Sequence, residues 1–365
     1  MRILVVSPVL PHLPSRDAAR LAPAHLVAQL SERHAVGVVA ATAAGDTPAA
    51  RAWLAARVTW LATPLAGRWR QPISGRPGEG LVALATAVRR ARVELEPDVV
   101  HLDGARLAPL AREAGAPSVL ACLDERVEPG WARRWFGGAD ACVTGSEDDR
   151  RTLAAHVPFE RVEIIPPGVD ATRHAFRRAG EAARIVFTGD FETAGDAQAA
   201  RRLARAILPL VRRRVPRAEL LLASTGSAGA VRELARLEGV RVEGQLGDLR
   251  PSVWSAAVYA SPTCAGSSRT ARLLEAFALG APVVATAPSA SGLDGLLPGH
   301  HCLAAESDGA FADAVALLLR EPVVANTIAR NARELVERRF TWPAIAERYE
   351  ALYARLASMP VERAA

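Results

Sequence analysis

Short, continuously apolar runs alternate with helical patterns along this chain, and the whole alternation occurs twice. Arg2–Ser7 reads RILVVS, β-branched and without a polar face. Such a run suits a strand buried on both sides, as in a parallel sheet covered by helices. Val36–Ala41, Asp98–Leu102, Ser118–Cys122, Ala139–Thr144 and Val162–Ile165 read the same way. Helices are predicted over Ala18–Arg33 and Leu81–Val93, and a third begins at Ser146, with Asp148 and Asp149 in its first turn. The stretch 42–77 shows no clean period. After Pro166-Pro167-Gly168 the rhythm restarts. Arg184–Thr188, Glu219–Ser224, Val240–Glu243, Ala257–Ser261 and Pro282–Thr286 are predicted strands, with helices over Ala197–Arg213 and Thr270–Leu279. Beyond Asp308 the pattern is helical almost to the end. The expected class is α/β, two doubly wound sheets. The boundaries are 1–166 and 183–342, joined by a turn-rich linker over 167–182, and 365 residues suit two domains. Ligands in such sheets sit at the carboxyl ends of the strands, so the interdomain cleft is the expected site.

Composition removes several kinds of chemistry. All 45 basic residues are arginine, and there is no lysine. That excludes a Walker-type phosphate loop, a Schiff base and a pyridoxal phosphate site, each of which needs an amine. Cys122, Cys142, Cys264 and Cys302 form no CxxC pair, against a zinc ribbon or a dithiol redox site. His300 and His301 are adjacent but have no third ligand nearby in sequence, so no metal is expected. The net charge of +6 fits an anionic substrate or an anionic membrane surface. Aromatics are only 5% and do not interleave with arginine runs, so no nucleic acid partner is expected. No signal segment or spanning segment is read, and the expected place is the cytoplasm or the inner face of its membrane.

The densest chemical signal is SPTCAGSSRTARLLEAFALG, from Ser261 to Gly280. A strand ends at Ser261-Pro262, and a loop of small residues with Gly266, Ser267 and Ser268 follows. A helix then starts near Arg269 and Thr270. Small residues let a ligand approach the backbone, and free N–H groups at a helix start bind anions. Arg269 and Arg272 stand where a surface helix prefers acids, which makes sense beside a diphosphate. Glu275 lies one turn on and can accept from ribose hydroxyls. An i,i+3 pair of Arg272 with Glu275 on a solvated face satisfies the same spacing.

The run Arg272-Leu-Leu-Glu275-Ala-Phe-Ala-Leu-Gly280-Ala-Pro282-Val-Val resembles the C-terminal signature of the retaining glycosyltransferases of family 4, of the GT-B fold. The subgroup with GSGTRxKxLEAMAxGxPVV is nearest. Other pieces agree in order: Asp98-Val-Val-His101, Ile164-Ile-Pro-Pro-Gly168-Val-Asp170, Ile185-Val-Phe-Thr-Gly189, Gly244-Gln-Leu-Gly-Asp248 and Phe340-Thr-Trp342. The resemblance spans almost the whole chain. It implies two Rossmann-like domains, with a C-terminal helix over 343–358 crossing back to the first. It implies sugar transfer from a nucleotide diphosphate sugar to an acceptor hydroxyl, with retention and without a metal or other cofactor. The acceptor is a sugar, a lipid-linked molecule or a small molecule. Gly189, Gly244, Gln245, Gly266, Ser267, Ser268, Arg269, Thr270 and Glu275 become donor-binding candidates, and Arg272 a catalytic one.

The departures are as informative. Eight residues before Glu275 the family's first glutamate is replaced by Ser267, as in the near subgroup. The usual Thr-Arg reads Arg269-Thr270. Asp190-Phe-Glu-Thr stands where a basic pair is usual, and Asp17-Ala-Ala-Arg20 replaces Gly-Gly-x-Arg. The expected histidine after Ser118–Cys122 is absent, and Leu123-Asp124-Glu125-Arg126 occupies that turn. Asp124 and Glu125 are therefore the acidic candidates of the first domain, either orienting an acceptor hydroxyl or capping a helix. His101, at a strand end, is read as a buried structural residue before a catalytic one. Two other readings stay open: a degenerate homologue that binds a nucleotide sugar or partner without turnover, and a nucleotide-sugar 2-epimerase.

Overall fold

The computed structural model describes residues 1–15, 17–43, 46–64, 79–123, 129–177, 182–262, 267–287 and 293–359. The chain divides into two compact units, Met1–Gly168 with Trp342–Ala365, and Val169–Thr341.

The first unit carries a seven-stranded sheet. Its strands are β1 (Arg2–Ser7), β2 (Ala35–Ala40), β3 (Trp60–Ala62), β4 (Val99–Asp103), β5 (Ser118–Ala121), β6 (Ala141–Thr144) and β7 (Val162–Ile164). Their order is β3-β2-β1-β4-β5-β6-β7, every pairing parallel, with Ile3 level with both Val36 and Val99. Ile3, Leu4, Val5 and Val6 are wholly buried, as a strand covered on both faces requires. The aperiodic stretch contains a helix, Pro48–Ala55, and the short edge strand β3. Thr47 caps that helix with Pro48 at its first position. Eight helical and three strand residues are too few to show a period against the surrounding Ala, Pro and Trp.

The helix Trp342–Ser358 belongs to this first unit and packs on Ala18–Leu30 and β4. Trp342, Ile345, Ala346, Tyr349, Leu352, Tyr353 and Leu356 form its buried stripe, at the 3–4 spacing of one helical face. Arg348 donates to the Ile164 carbonyl at 2.6 Å, and the His25 ring stacks on Trp342 at 5.0 Å.

His101 on β4 is wholly buried, and its Nδ1 lies 2.7 Å from the Tyr353 hydroxyl. Burial pushes its pKa down to about 4. The unfolded chain therefore binds a proton that the folded chain refuses between pH 6.5 and 4. Stability should fall as pH drops through that window, by roughly 3 kcal/mol from this group alone. Melting curves from pH 7 to 4 check this: His101→Gln should flatten the slope, and an equal slope in that variant would refute it.

The second unit carries six strands, β8 (Arg184–Thr188), β9 (Glu219–Ala223), β10 (Val240–Glu243), β11 (Val258–Ser261), β12 (Val283–Ala285) and β13 (Leu303–Ala304). Their order, β10-β9-β8-β11-β12-β13, is again parallel throughout. The predicted helix Ala197–Arg213 is in fact Ala194–Arg202 and Leu208–Arg214 joined by a π-helical turn, Leu203–Ile207. Pro209 supplies the reason, since its ring has no N–H and crowds the preceding turn's carbonyl. Residues 169–177 belong to this unit. Arg333 ties them down by donating to the carbonyls of Ala171, His174 and Ala278.

Candidate functional site

In the second unit the chain runs β8, β9, β10 outward in one direction and β11, β12, β13 in the other. The switch point lies between β8 and β11, and ligands of such sheets sit beyond the carboxyl ends of the strands at that place. Gly189 follows β8 on one side. The helix Ser267–Leu279 follows β11 on the other and has no acid in its first turn.

The helix after β8 is different. Thr193 caps Ala194–Arg202, and Asp196 lies in its first turn, buried. Asp196 Oδ2 accepts the Asp190 backbone N–H at 2.9 Å and an Arg272 guanidinium N–H at 2.8 Å. This carboxylate bridges the two elements that flank the switch point. Gly189 leaves room beside it, since a Cβ there would stand a tight 3.2 Å from Asp196 Oδ2 and 3.1 Å from the Phe191 ring. Asp190 and Glu192 are exposed on the same turn.

Arg272 is thus an anchored cation, 19% exposed, and its ion-pair partner is Asp196, not Glu275. Thr270 is buried. Glu275 is reached by solvent, yet the protein around it desolvates its carboxyl and raises its pKa, the largest influence on it. His174, Arg272 and Arg250 oppose that rise, and Asp248 adds to it. Arg250 is itself held by Asp248 at 2.7 Å and by the Arg173 carbonyl at 3.0 Å. His174 Nδ1 lies 2.7 Å from the Asp170 carbonyl oxygen. Glu275 accordingly has three basic side chains near it and stays available to solvent.

On the other flank Gly244 and Gln245 follow the end of β10. A Cβ on Gly244 would stand 2.9 Å from the Ala228 backbone N. Gln245 takes φ +57, the left-handed region that costs a side-chain-bearing residue energy, and donates its N–H to the Gly226 carbonyl at 2.8 Å. Gly189, Gly244, Gln245, Thr270, Arg272 and Glu275 therefore all lie at the carboxyl edge of one sheet. Gly266, Asp124 and Glu125 fall outside the described residues, and of Ser267, Ser268 and Arg269 only the helical backbone is described.

Elsewhere the expected chemistry is structural. Asp17 caps Ala18–Leu30 through the Ala19 N–H, and Arg20 pairs with Asp46 at 2.6 Å. His301 Nδ1 accepts the Leu297 N–H at 2.9 Å. Among the described residues no group of three His, Cys, Asp or Glu is placed to hold a metal ion. Cys122, Cys142 and Cys302 are buried and form no disulfide. Among the described residues no helix is long and apolar enough to cross a membrane.

Asp196, His174, Asp248 and Arg250 were not singled out from the sequence as site residues. An acid in a helix's first turn reads as an ordinary response to the helix dipole, which hides Asp196's second role.

Two doubly wound parallel sheets of this strand order make a GT-B fold. The chain belongs to the glycosyltransferases of the family 4 type: residues 24–173 match the model described as Glycosyltransferase Family 4, and residues 182–321 the one described as Glycosyl transferases group 1. A phosphatidyl-myo-inositol mannosyltransferase of Mycobacterium leprae is 28% identical over 302 residues, 76% of this chain and 78% of that one. Among solved structures, sucrose-phosphate synthase from Thermosynechococcus elongatus superposes with a TM-score of 0.69 at 18% identity, covering 98% of this chain and 99% of that one. Anabaena HepE, solved in complex with UDP-glucose, gives 0.65 at 16% identity, over 98% and 100%.

Proposed function

We propose that this glycosyltransferase moves a hexosyl group from a nucleoside diphosphate sugar to an acceptor hydroxyl, with retention of configuration and without a metal ion. The observation that carries this reading is the switch-point helix of the second unit, which bears an anchored Arg272 and a solvent-reached Glu275 one turn apart. As the bond from the anomeric carbon to the diphosphate breaks, negative charge grows on the leaving group. Arg272, Arg269 and the N–H groups at the start of Ser267–Leu279 hold that charge. Glu275 accepts from the ribose hydroxyls. Gly189, Gly244 and Gly266 let the donor approach the backbone, with Gln245, Ser267, Ser268 and Thr270 completing its surround. Asp124 and Glu125 orient the acceptor, a sugar, a lipid-linked molecule or a small molecule. The M. leprae relative's name supports a mannosyl donor, and the HepE complex supports a nucleotide of the UDP type.

One observation favours a second reading, donor binding without turnover. Asp196 neutralises Arg272 at 2.8 Å, and Asp190 and Glu192 are exposed nearby. Thermal shift and product release separate the two. UDP, GDP, ADP and dTDP are each added in millimolar excess. The cognate one should stabilise the fold by about 2.7 kcal/mol at a hundredfold excess over its Kd. Release of nucleoside diphosphate from the matching sugar donor then supports transfer, whereas stabilisation without release supports the non-catalytic reading. No shift with any of the four would remove the donor site from this helix.

A further inference from the structure

At the opposite edge of the second sheet, where the strands begin, an open groove of about 890 Å³ runs between the strand starts and the turn joining helices Asp308–Arg320 and Pro322–Arg339. Strands of four or five residues separate it from the candidate donor site by roughly 15 Å. Ala183, Val215, Leu318, Leu319 and Pro322 give the groove an apolar floor. Arg214, Arg217 and Arg320 line it as well. Arg214 pairs with Asp313, but among the described residues neither Arg217 nor Arg320 has an ion-pair partner, and both are exposed. Asn326 also lines the groove, and its Oδ1 is buried with no hydrogen-bond partner among the described residues.

Exposed apolar side chains stand next in sequence to residues that line the groove. Leu317, Val323 and Val324 are exposed large hydrophobics within eight residues of sequence, and Val323 is 80% exposed. Leu317 lies one turn before Arg320, so the two share a helix face. A soluble anion would use the arginines and leave the valines in water. A bilayer surface uses both, because apolar side chains enter the acyl boundary while arginines meet lipid phosphates. Glu321 is the acidic residue on the turn itself, and Asp313 is neutralised by Arg214.

We propose that this face of the second unit docks on an anionic phospholipid surface, with a headgroup phosphate between Arg217 and Arg320 and a headgroup hydroxyl donating to Asn326 Oδ1. Val323 and Leu317 insert beside it. The proposal stands apart from the transfer reaction, since lipid binding needs neither donor nor acceptor.

The test is flotation of the full chain with vesicles of equal parts phosphatidylcholine and phosphatidylglycerol, against phosphatidylcholine alone. Wild-type protein should bind the anionic vesicles and lose them as salt rises. Arg217→Ala with Arg320→Ala should weaken partitioning about fivefold per arginine, roughly thirtyfold together. Val323→Asp should weaken it about tenfold or more. These side chains are exposed, so melting temperature and nucleoside diphosphate binding should match wild type in each variant. Wild-type protein that stays off the anionic vesicles overturns the proposal, as does undiminished binding by the arginine pair. Loss of binding instead in Val82→Asp with Val93→Asp, the exposed valines of helix Glu79–Glu94, would assign the contact to the first unit and overturn it too. A concentration-dependent dimer abolished by Val323→Asp would give the face to a second copy of this chain. Wild-type protein that binds a nucleoside diphosphate but not the anionic vesicles counts against this inference alone, and wild-type protein that binds the vesicles but no nucleoside diphosphate counts against the donor-site reading alone.

Discussion

Arg272→Ala is expected to lower kcat/KM for sugar transfer by about 10- to 150-fold, the worth of one charge-assisted hydrogen bond to the leaving diphosphate. It is also expected to destabilise the fold. Asp196 is buried, and the variant takes away the guanidinium N–H that its carboxylate accepts at 2.8 Å. Breaking a fully buried pair costs roughly 3–5 kcal/mol; Arg272 is partly exposed, so about 2–3 kcal/mol is expected. Two further variants separate the roles. Arg272→Lys keeps the charge but loses the planar fork that reaches both Asp196 and a phosphate, so it should rescue only part of the rate. Asp196→Asn keeps an acceptor for the Asp190 N–H while removing the counter-charge. If Arg272 serves the diphosphate, that variant should bind the nucleoside diphosphate at least as tightly as wild type. Assays are run well below each variant's melting temperature and at fixed ionic strength. Arg272→Ala within twofold of wild type would mean that the diphosphate is held elsewhere and the Arg272–Asp196 pair only braces the switch point.

That pair shows where the sequence is readable and where it is silent. Strands covered on both faces announce themselves because burial on both sides demands uninterrupted apolar residues. Arg2–Ser7 and Arg184–Thr188 are therefore observed where they are expected, the edge strand Val240–Glu243 matches as well, and the others shift by a residue or two at their ends. Edge strands have no such demand. Trp60–Ala62 and Leu303–Ala304 are only half buried, and neither stands out from its surroundings. Helix interruptions depend on one residue, so the π-helical turn before Pro209 is legible only by looking for the proline.

The candidate site divides along the same line. Its local parts, the helix start with Arg272 and Glu275 and the glycines at strand ends, carry patterns in a single stretch of chain. Its non-local parts do not. Asp196 meets Arg272 across 76 positions of sequence, and no spacing rule joins them. The influence of His174 on Glu275 spans 101 positions of sequence and exists because Arg333 pins the 171–174 carbonyls against the end of the Glu275 helix. The strained φ of Gln245 has no sequence signal at all, since glycine would be the expected residue there and stands one position earlier.

Glu275→Gln should move stability and binding in opposite directions. Desolvation holds the Glu275 carboxyl above its ordinary value, against the pull of His174, Arg272 and Arg250. The folded chain therefore keeps a proton that the unfolded chain has already lost. The sign follows from linkage: stability contributed at this position declines as pH rises from the usual carboxylate range, near 4.5, through the raised value. Glutamine has no proton to lose and escapes the decline. The variant's melting temperature should equal or exceed that of wild type at neutral pH, with the gap closing as pH falls toward 4. Donor affinity should go the other way. An ionised carboxylate accepts two ribose hydroxyls, whereas an amide offers one neutral oxygen. The loss is that of a charged hydrogen bond, roughly 10- to 150-fold in Kd for the nucleoside diphosphate. Calorimetric titration and melting curves on the same samples read both effects. A residue retained for the donor at the expense of the fold gives a more stable and weaker-binding variant. A Glu275→Gln protein that binds the nucleotide as tightly as wild type would put the ribose against another part of the sheet's carboxyl edge, whatever its melting temperature.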